Sequence, residues 1–370
     1  MIFDISDSMF RRIFDDENLH LPIQWNGNDF YLCLEVLFNK YFKNIKSELV
    51  DSRDDNDNHN FLDFPIKQVC SLIKSSVKHY LDGFPAQAYE SLDILMGLLQ
   101  QRPLRVYKKS CFELLEGYND KLNLFRVAKV DDNIPYARTR IFHTPYNLRS
   151  KVSTSRYSIA GYPSLYLGTS LELCCEEIQY NPHNEFAIAS KFKIERSIKF
   201  NDTEISVIEL ALKPQDFFNR ENDSGINRRR FNVIDLSDAK IKKAYLLWYP
   251  LIAACSFIRT NKSHPFAVEY IIPQLLMQWV RLEMERKHYH DYDQLIGIRY
   301  FSCASKRASD MGFNYVFPVS GNQTSPQFPY CPVLSRAFKL TKPHFINEYY
   351  DIKDCERSLI YDKNLDFVGK

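Results

Sequence analysis

The sequence predicts an α+β protein in which a mostly α-helical N-terminal domain precedes a domain of short strands and helices. Two observations point there. Over the first ~115 residues apolar side chains recur at spacings of three and four, whereas from about Leu122 they fall in short β-like runs between Gly, Pro and polar residues. Length is the third: 370 residues exceed the roughly 150 of a typical domain. The chain divides on this reading into 1–117 (helical), 118–345 (α+β) and 346–370 (a C-terminal extension).

The elements follow in order. A first helix spans about Asn28 to Ile45, and the acidic run DSRDDNDNHN at 51–60 reads as a solvated loop. A second opens at Pro65, whose missing N–H costs nothing in a first turn, and carries Ile66, Val69, Cys70, Ile73, Val77 and Leu81 on one face. A third starts near Pro85, carries Ala88, Leu92, Leu95 and Leu99, and is closed by Pro103. Strands are expected at Ser164–Leu167, Ala187–Ile194, Val207–Leu210, Ile296–Phe301 and Asn314–Val319. Two helical stretches interrupt them, one after Ser237 (Ile241, Tyr245, Trp248, Ile252, Cys255) and one after Pro265 (Val268, Ile272, Leu275, Leu276, Trp279). Pro250 and Pro273 are expected to kink or divide these two.

Composition excludes several function classes. With 48 basic and 46 acidic residues the net charge is +2, so no global field favours nucleic acid. The nine cysteines are dispersed without a CxxC pair or zinc-ligand spacing, which predicts no metal site and suits reduced thiols in a cytoplasm. The N-terminus lacks an apolar core of signal-peptide length, and the most apolar stretch, Ala244–Ile258, is broken by Pro250 and falls short of the roughly 20 residues that span a bilayer. The expectation is a soluble, cytoplasmic protein that binds neither membrane nor nucleic acid.

Three patterns carry chemistry: LFRVAK with Arg126, SRYSIAGYPSLYLGTSLELCCEEI at 155–178, and GIRYFS at 297–302. In the second, Gly161 and Pro163 turn the chain into a strand that Gly168 ends. Thr169 and Glu172 then read as a T-x-x-E capping box opening a helix. Leu171, Cys174, Cys175 and Ile178 form its buried stripe, with Glu177 nearer the core than Glu176. Strand, turn and helix together place Arg156, Tyr166 and Glu177 in one neighbourhood, where a partly buried carboxylate is a catalytic candidate. The plain alternative makes Glu177 a solvated helix residue and Tyr166 a core residue.

The order of these residues resembles the RES-domain family of NAD-cleaving toxins, named for an Arg, a Glu and a Ser. An Arg follows an apolar pair (Arg126), then come an R-[YF]-x-x-x-G segment (Arg156, Tyr157, Gly161), an L-Y-L strand (Tyr166), a helix ending in an acidic residue (Glu177) and a G-I-x-Y-x-S strand (Gly297, Tyr300, Ser302). Two departures stand out. The stretch between Arg126 and Arg156 holds three rival cations, Arg138, Arg140 and Arg149, and the acidic position is a Glu176–Glu177 pair.

The resemblance implies a fold like that of ADP-ribosyltransferases and cleavage of the nicotinamide–ribose bond. Glu177, Arg126 and Ser302 would be catalytic, and Arg126, Arg156, Tyr157, Tyr166 and Tyr300 would bind NAD. NAD would be a substrate and not a redox cofactor, in keeping with the absence of a G-x-G-x-x-G or Walker loop. Inorganic phosphate is a candidate co-substrate, water and protein being the other acceptors. Protein ADP-ribosylation is the alternative activity, and a partner-binding module with a degenerate site is the alternative of another class. An antitoxin or regulatory protein and a homo-oligomer are the expected partners. The N-terminal domain would then buttress or regulate. His143, in IFHTPYNLR, is a weak candidate for a base, since oxocarbenium chemistry does not demand one.

Overall fold

The computed structural model describes residues 5–51, 60–100, 105–107, 122–131, 134–194, 204–217, 238–261, 264–285, 293–320, 327–346 and 351–368. Of the expected loop at 51–60, Asp51 and Asn60 are helical and 52–59 lie outside these residues, as do the end of the third helix at Pro103 and the start of the second domain near 118. The chain is mixed α and β with a mixed sheet, as an α+β sequence requires. It splits into two compact units, Met1–Leu104 with Leu212–Trp279, and Arg105–Ala211 with Val280–Lys370. These units are interleaved along the chain, and residues 212–279, which hold the helical stretch after Ser237 and the start of the one after Pro265, belong to the first.

The first unit is helical: α1 (Asp7–Ile13), α2 (Phe30–Asp51), α3 (Asn60–Leu81) and α4 (Pro85–Gln100) precede α6 (Ala239–Ala254), and α7 (Ile271–Glu283) begins in it. The 3–4 spacing sets these faces: Ile66, Val69, Ile73 and Val77 of α3, and Ala88, Leu92, Leu95 and Leu99 of α4, are fully buried. Leu81 is exposed. Helix α6 is apolar all round and buried from Ala244 to Ala254, as a central helix must be. Phe14 and Tyr41 pack on Tyr249, with ring centroids 4.8 and 4.4 Å apart.

The prolines behave differently from expectation. Helix α3 starts at Asn60, so Pro65 lies inside it. Pro250 lies inside α6 without dividing it. Its missing N–H leaves the Leu246 carbonyl, four residues earlier, without the usual partner, and the Tyr41 hydroxyl donates to that oxygen at 2.6 Å. Pro273 divides nothing, because α7 starts at Ile271 and places it in the first turn, where no N–H is needed.

The second unit carries a ten-stranded sheet in the order β1-β5-β6-β7-β3-β2-β4-β8-β10, with β9 also on β4. The strands are β1 (Arg105–Tyr107), β2 (Leu124–Val130), β3 (Ser164–Gly168), β4 (Phe186–Ile194), β5 (Glu204–Leu210), β6 (Asp293–Phe301), β7 (Phe313–Pro318), β8 (Phe338–Leu340), β9 (His344–Ile346) and β10 (Asp366–Phe367). Among the described strands, only β5 and β6 pair in parallel. Helix α5 (Leu171–Glu177) and helix α9 (Ile352–Tyr361) cover β2 and β4, burying Phe125, Val127, Ala187 and Ala189 against Leu171, Cys174, Cys175, Cys355 and Leu359. A short α8 (Pro332–Ala337) leads into β8. Inside the sheet, Arg299 of β6 pairs with Glu209 of β5, both fully buried, and lies 4.1 Å from the Phe313 ring centroid.

Candidate active site

Strand β2 pairs with β4 along its whole length, from Leu124↔Phe192 to Val130↔Phe186, but meets β3 at one residue pair, Phe125↔Gly168. Strand β3 in turn pairs with β7 along its whole length. Beyond the single rung the facing edges of β2 and β3 are therefore not laddered to one another. Gly168 is the residue that permits this junction, since a Cβ there would lie 2.7 Å from Cys174 Sγ.

Arg126 is the next residue along β2. Its Nη1 is buried and has no hydrogen-bond partner among the described residues. Burial lowers the guanidinium to about 10, with Cys174 and Tyr166 opposing that shift and the cation of Arg140 adding to it. At neutral pH Arg126 is a cation, and no carboxylate is among the groups shifting it. A donor so placed suits an anionic or strongly accepting ligand.

Tyr166, in the middle of β3, donates its hydroxyl to the Tyr157 carbonyl at 2.6 Å. Ser155 Oγ, 2.6 Å away, then donates to the same Tyr166 oxygen. These bonds hold the 155–158 turn against the strand, and Ser158 Oγ closes the turn on the Ser155 carbonyl at 2.9 Å. The Tyr157 ring packs on Tyr300 of β6, with centroids 4.6 Å apart. Burial pushes the Tyr300 phenol well up, Glu177 and Tyr166 adding to the shift and Arg156 opposing it. Arg156 itself is buried. Arg156, Tyr157, Tyr166, Tyr300 and Glu177 thus share one neighbourhood, and Arg126 joins it through Tyr166.

Helix α5 delivers Glu177, and its start corrects the expected capping box. The N-cap is Ser170, whose hydroxyl accepts from Leu173 N at 3.2 Å and donates to the Met311 carbonyl at 2.9 Å. Thr169 is used elsewhere: its Oγ1 accepts from Phe313 N at 2.9 Å, and Glu172 pairs with Arg307. Glu356 of α9 also caps the helix, accepting from Leu171 N at 2.7 Å. At the other end Gln179, at φ 51°, ends α5 in a Schellman turn, Tyr180 N donating to the Cys175 carbonyl at 3.0 Å and Gln179 N to that of Glu176 at 3.1 Å.

Glu177 is the last residue of α5, and it is exposed where a partly buried carboxylate was expected; Glu176 is exposed too. Their partners separate them. Glu177 Oε1 accepts from Asn314 Nδ2 of β7 at 2.5 Å, whereas Glu176 Oε1 accepts from Ser305 Oγ at 3.3 Å. The helix phase read from the sequence orders the pair by neighbour, not by burial.

The remaining candidates fall as follows. Ser302, just past β6, is fully buried, and its Oγ accepts from Ala304 N at 3.1 Å. His143 is fully buried and held neutral. Its Nε2 accepts from Cys331 N at 2.9 Å, its Nδ1–H donates to the Thr144 carbonyl at 2.8 Å, and burial lowers its pKa to about 4. These bonds brace the loop. Arg138 and Arg140 donate to the backbone carbonyls of Leu340 and Lys129, and Arg149 lies over the rings of Tyr146 and Tyr162. Sequence reasoning missed Asn314 and Ser155, whose roles depend on strand register and on a turn closing over β3. No group of His, Cys, Asp and Glu suited to a metal occurs among the described residues. Among them too, no helix is long and apolar enough to cross a membrane.

No family model matches the chain, and no solved structure matches it. The chain is similar to a protein of Bacillus subtilis (strain 168) named "Putative toxin YopC", with 28% identity over 352 residues, covering 92% of this chain and 71% of that protein.

Proposed function

We propose that this chain is a toxin-type enzyme that consumes NAD by cleaving its nicotinamide–ribose bond. The similarity to a protein named as a toxin supports the toxin role. The chemical reading rests on one observation: a buried guanidinium nitrogen without a partner among the described residues, on Arg126, beside a cluster that holds a second buried guanidinium, three tyrosines and the Glu177 carboxylate. The RES-type, ADP-ribosyltransferase-like fold belongs to the same proposal.

The residue types suit the reaction. Arg126 and Arg156 bind the pyrophosphate, whose paired oxygens match guanidinium donors. Tyr166, half-buried on β3, offers aromatic surface to a ring. When the glycosidic C–N bond breaks, its electron pair leaves with nicotinamide and neutralises the pyridinium charge, so no acid is needed. The ribose becomes oxocarbenium-like, and Glu177 Oε2 accepts from a ribose hydroxyl and stabilises that charge. Phosphate or water then bonds to the anomeric carbon and loses a proton.

The exposure of Glu177 favours a second reading, transfer of ADP-ribose to a protein, because a bulky acceptor reaches an open carboxylate. One experiment covers both. Purified protein is incubated with NAD, with and without inorganic phosphate, and small products and protein are weighed by mass spectrometry. Nicotinamide with ADP-ribose or its phosphate ester is expected. Modified protein indicates transfer, and unchanged NAD with folded enzyme overturns the proposal.

A further inference from the structure

We infer that Asn314 is a positioning residue for the Glu177 carboxylate, setting which of its oxygens meets the substrate. The inference rests on the NAD-cleaving reading above and adds a residue to it. Asn314 sits on β7 between the two strands that frame the site, opposite Tyr300 on one side and Gly168 on the other. Its side chain is buried. Gly168 presents no side chain, and even a Cβ there would lie 3.5 Å from Asn314 Oδ1, so the amide has room beside the rung that joins β3 to β2. From this rigid strand Nδ2 reaches Glu177 Oε1 at 2.5 Å.

Glu177 needs such a fixture. It is the last helical residue of α5, it is exposed, and the chain reverses at once through Gln179. An exposed glutamate at a helix end samples several rotamers, and misplacing a reacting group by about an ångström costs on the order of 10²-fold in rate. A donor from a buried strand selects one rotamer, occupies Oε1 and leaves Oε2 for the ribose. The amide must donate here, because an ionised carboxylate only accepts. Among the described residues, the Glu177 charge pushes up Tyr300 of β6 and Cys174 of its own helix, and Tyr166 and Arg156 act on the same Tyr300, raising and lowering it respectively.

The test compares wild type, Asn314→Ala and Asn314→Asp by nicotinamide release from NAD between pH 5 and 8, with thermal melts as the folding check. Asn314→Ala is expected to lower kcat at least 10-fold with KM within about 3-fold, since the carboxylate loses its aim while pyrophosphate binding persists. Asn314→Asp is nearly isosteric, but its ionised carboxylate cannot donate. Its activity relative to wild type should be lowest at pH 8 and recover as pH falls, when the introduced carboxyl regains an O–H. A purely structural role would not produce that reversal. Full kcat in a folded Asn314→Ala overturns the inference alone. If that variant does not fold, Asn314→Asp decides: a pH profile parallel to wild type overturns the inference, and the reversal supports it. A folded wild type that leaves NAD intact overturns the NAD-cleaving reading and the role given to Asn314 with it.

Discussion

A guanidinium nitrogen shut away from water without an acceptor costs about 1–3 kcal/mol, and Arg126 Nη1 has none among the described residues. Replacing Arg126 with Met, which keeps much of the stem's volume, should raise the melting temperature and at the same time weaken NAD binding about 10- to 100-fold, the worth of lost charge-assisted bonds. Calorimetry of the free and NAD-loaded proteins checks both signs, and a structural arginine would show the reverse stability effect. Glu177→Gln should retain NAD binding but lose about 10²- to 10³-fold in turnover, as for other groups that act on transition-state charge. Glu176→Gln, at a carboxylate bonded to Ser305, should be nearly silent; nicotinamide release ranks the two. His143 gives a pH signature. Its folded pKa of about 4 lies below its ordinary 6.5, so the stability it lends is complete above pH 6.5 and is lost as pH falls through 4. The loss is about 3 kcal/mol as an order of magnitude. Urea midpoints between pH 7 and 4 should fall by less in His143→Gln than in wild type.

Among the elements, α6 shows how a helix tolerates an internal proline. Pro250 removes the bond to the Leu246 carbonyl, and the buried Tyr41 hydroxyl of α2 replaces it. Tyr41→Phe should therefore cost roughly 1–3 kcal/mol, the price of an unsatisfied buried acceptor. In a Pro250→Ala background, where the backbone N–H returns, the same change should cost well under half as much. Urea denaturation of the four proteins closes the cycle, and equal costs in both backgrounds would sink the idea that Tyr41 stands in for the missing N–H. At α5 the sequence located the helix within a residue but not its cap. Thr169 and Ser170 are both competent caps, and the choice fell to the strand that took Thr169.

At the scale of the molecule, the interleaved units change the meaning of the N-terminal region. Helices α1–α4 share a core with α6, which is buried from Ala244 to Ala254. Tyr249 also donates to the Leu19 carbonyl at 2.8 Å, and Trp279 donates to Asp93 at 3.1 Å. A chain beginning at 118 strips α6 of those partners and exposes an apolar helix with no polar face. Residues 118–370 expressed alone should be insoluble or aggregate, as read by sedimentation against the full chain. A soluble, active fragment would instead make residues 1–117 a detachable regulator.

By itself the sequence determined many of the elements, though not α1, α8, α9, β1, β2 or β8–β10, and the order of the candidate residues. Periodicity of 3.6 and of 2 is a local property, so the α3 and α4 faces and the cores of β3, β4, β6 and β7 were legible from side chains alone. So was the gathering of Arg156, Tyr166 and Glu177 about one strand, turn and helix. Tertiary structure decided what depends on register and on distant packing. The single rung between β2 and β3 sets Arg126 beside Tyr166, and the β7 register brings Asn314 to Glu177, a partner 137 positions away. Likewise α6 joined the N-terminal helices because an all-round apolar helix must be enclosed, and nothing in its own sequence says by which part of the chain.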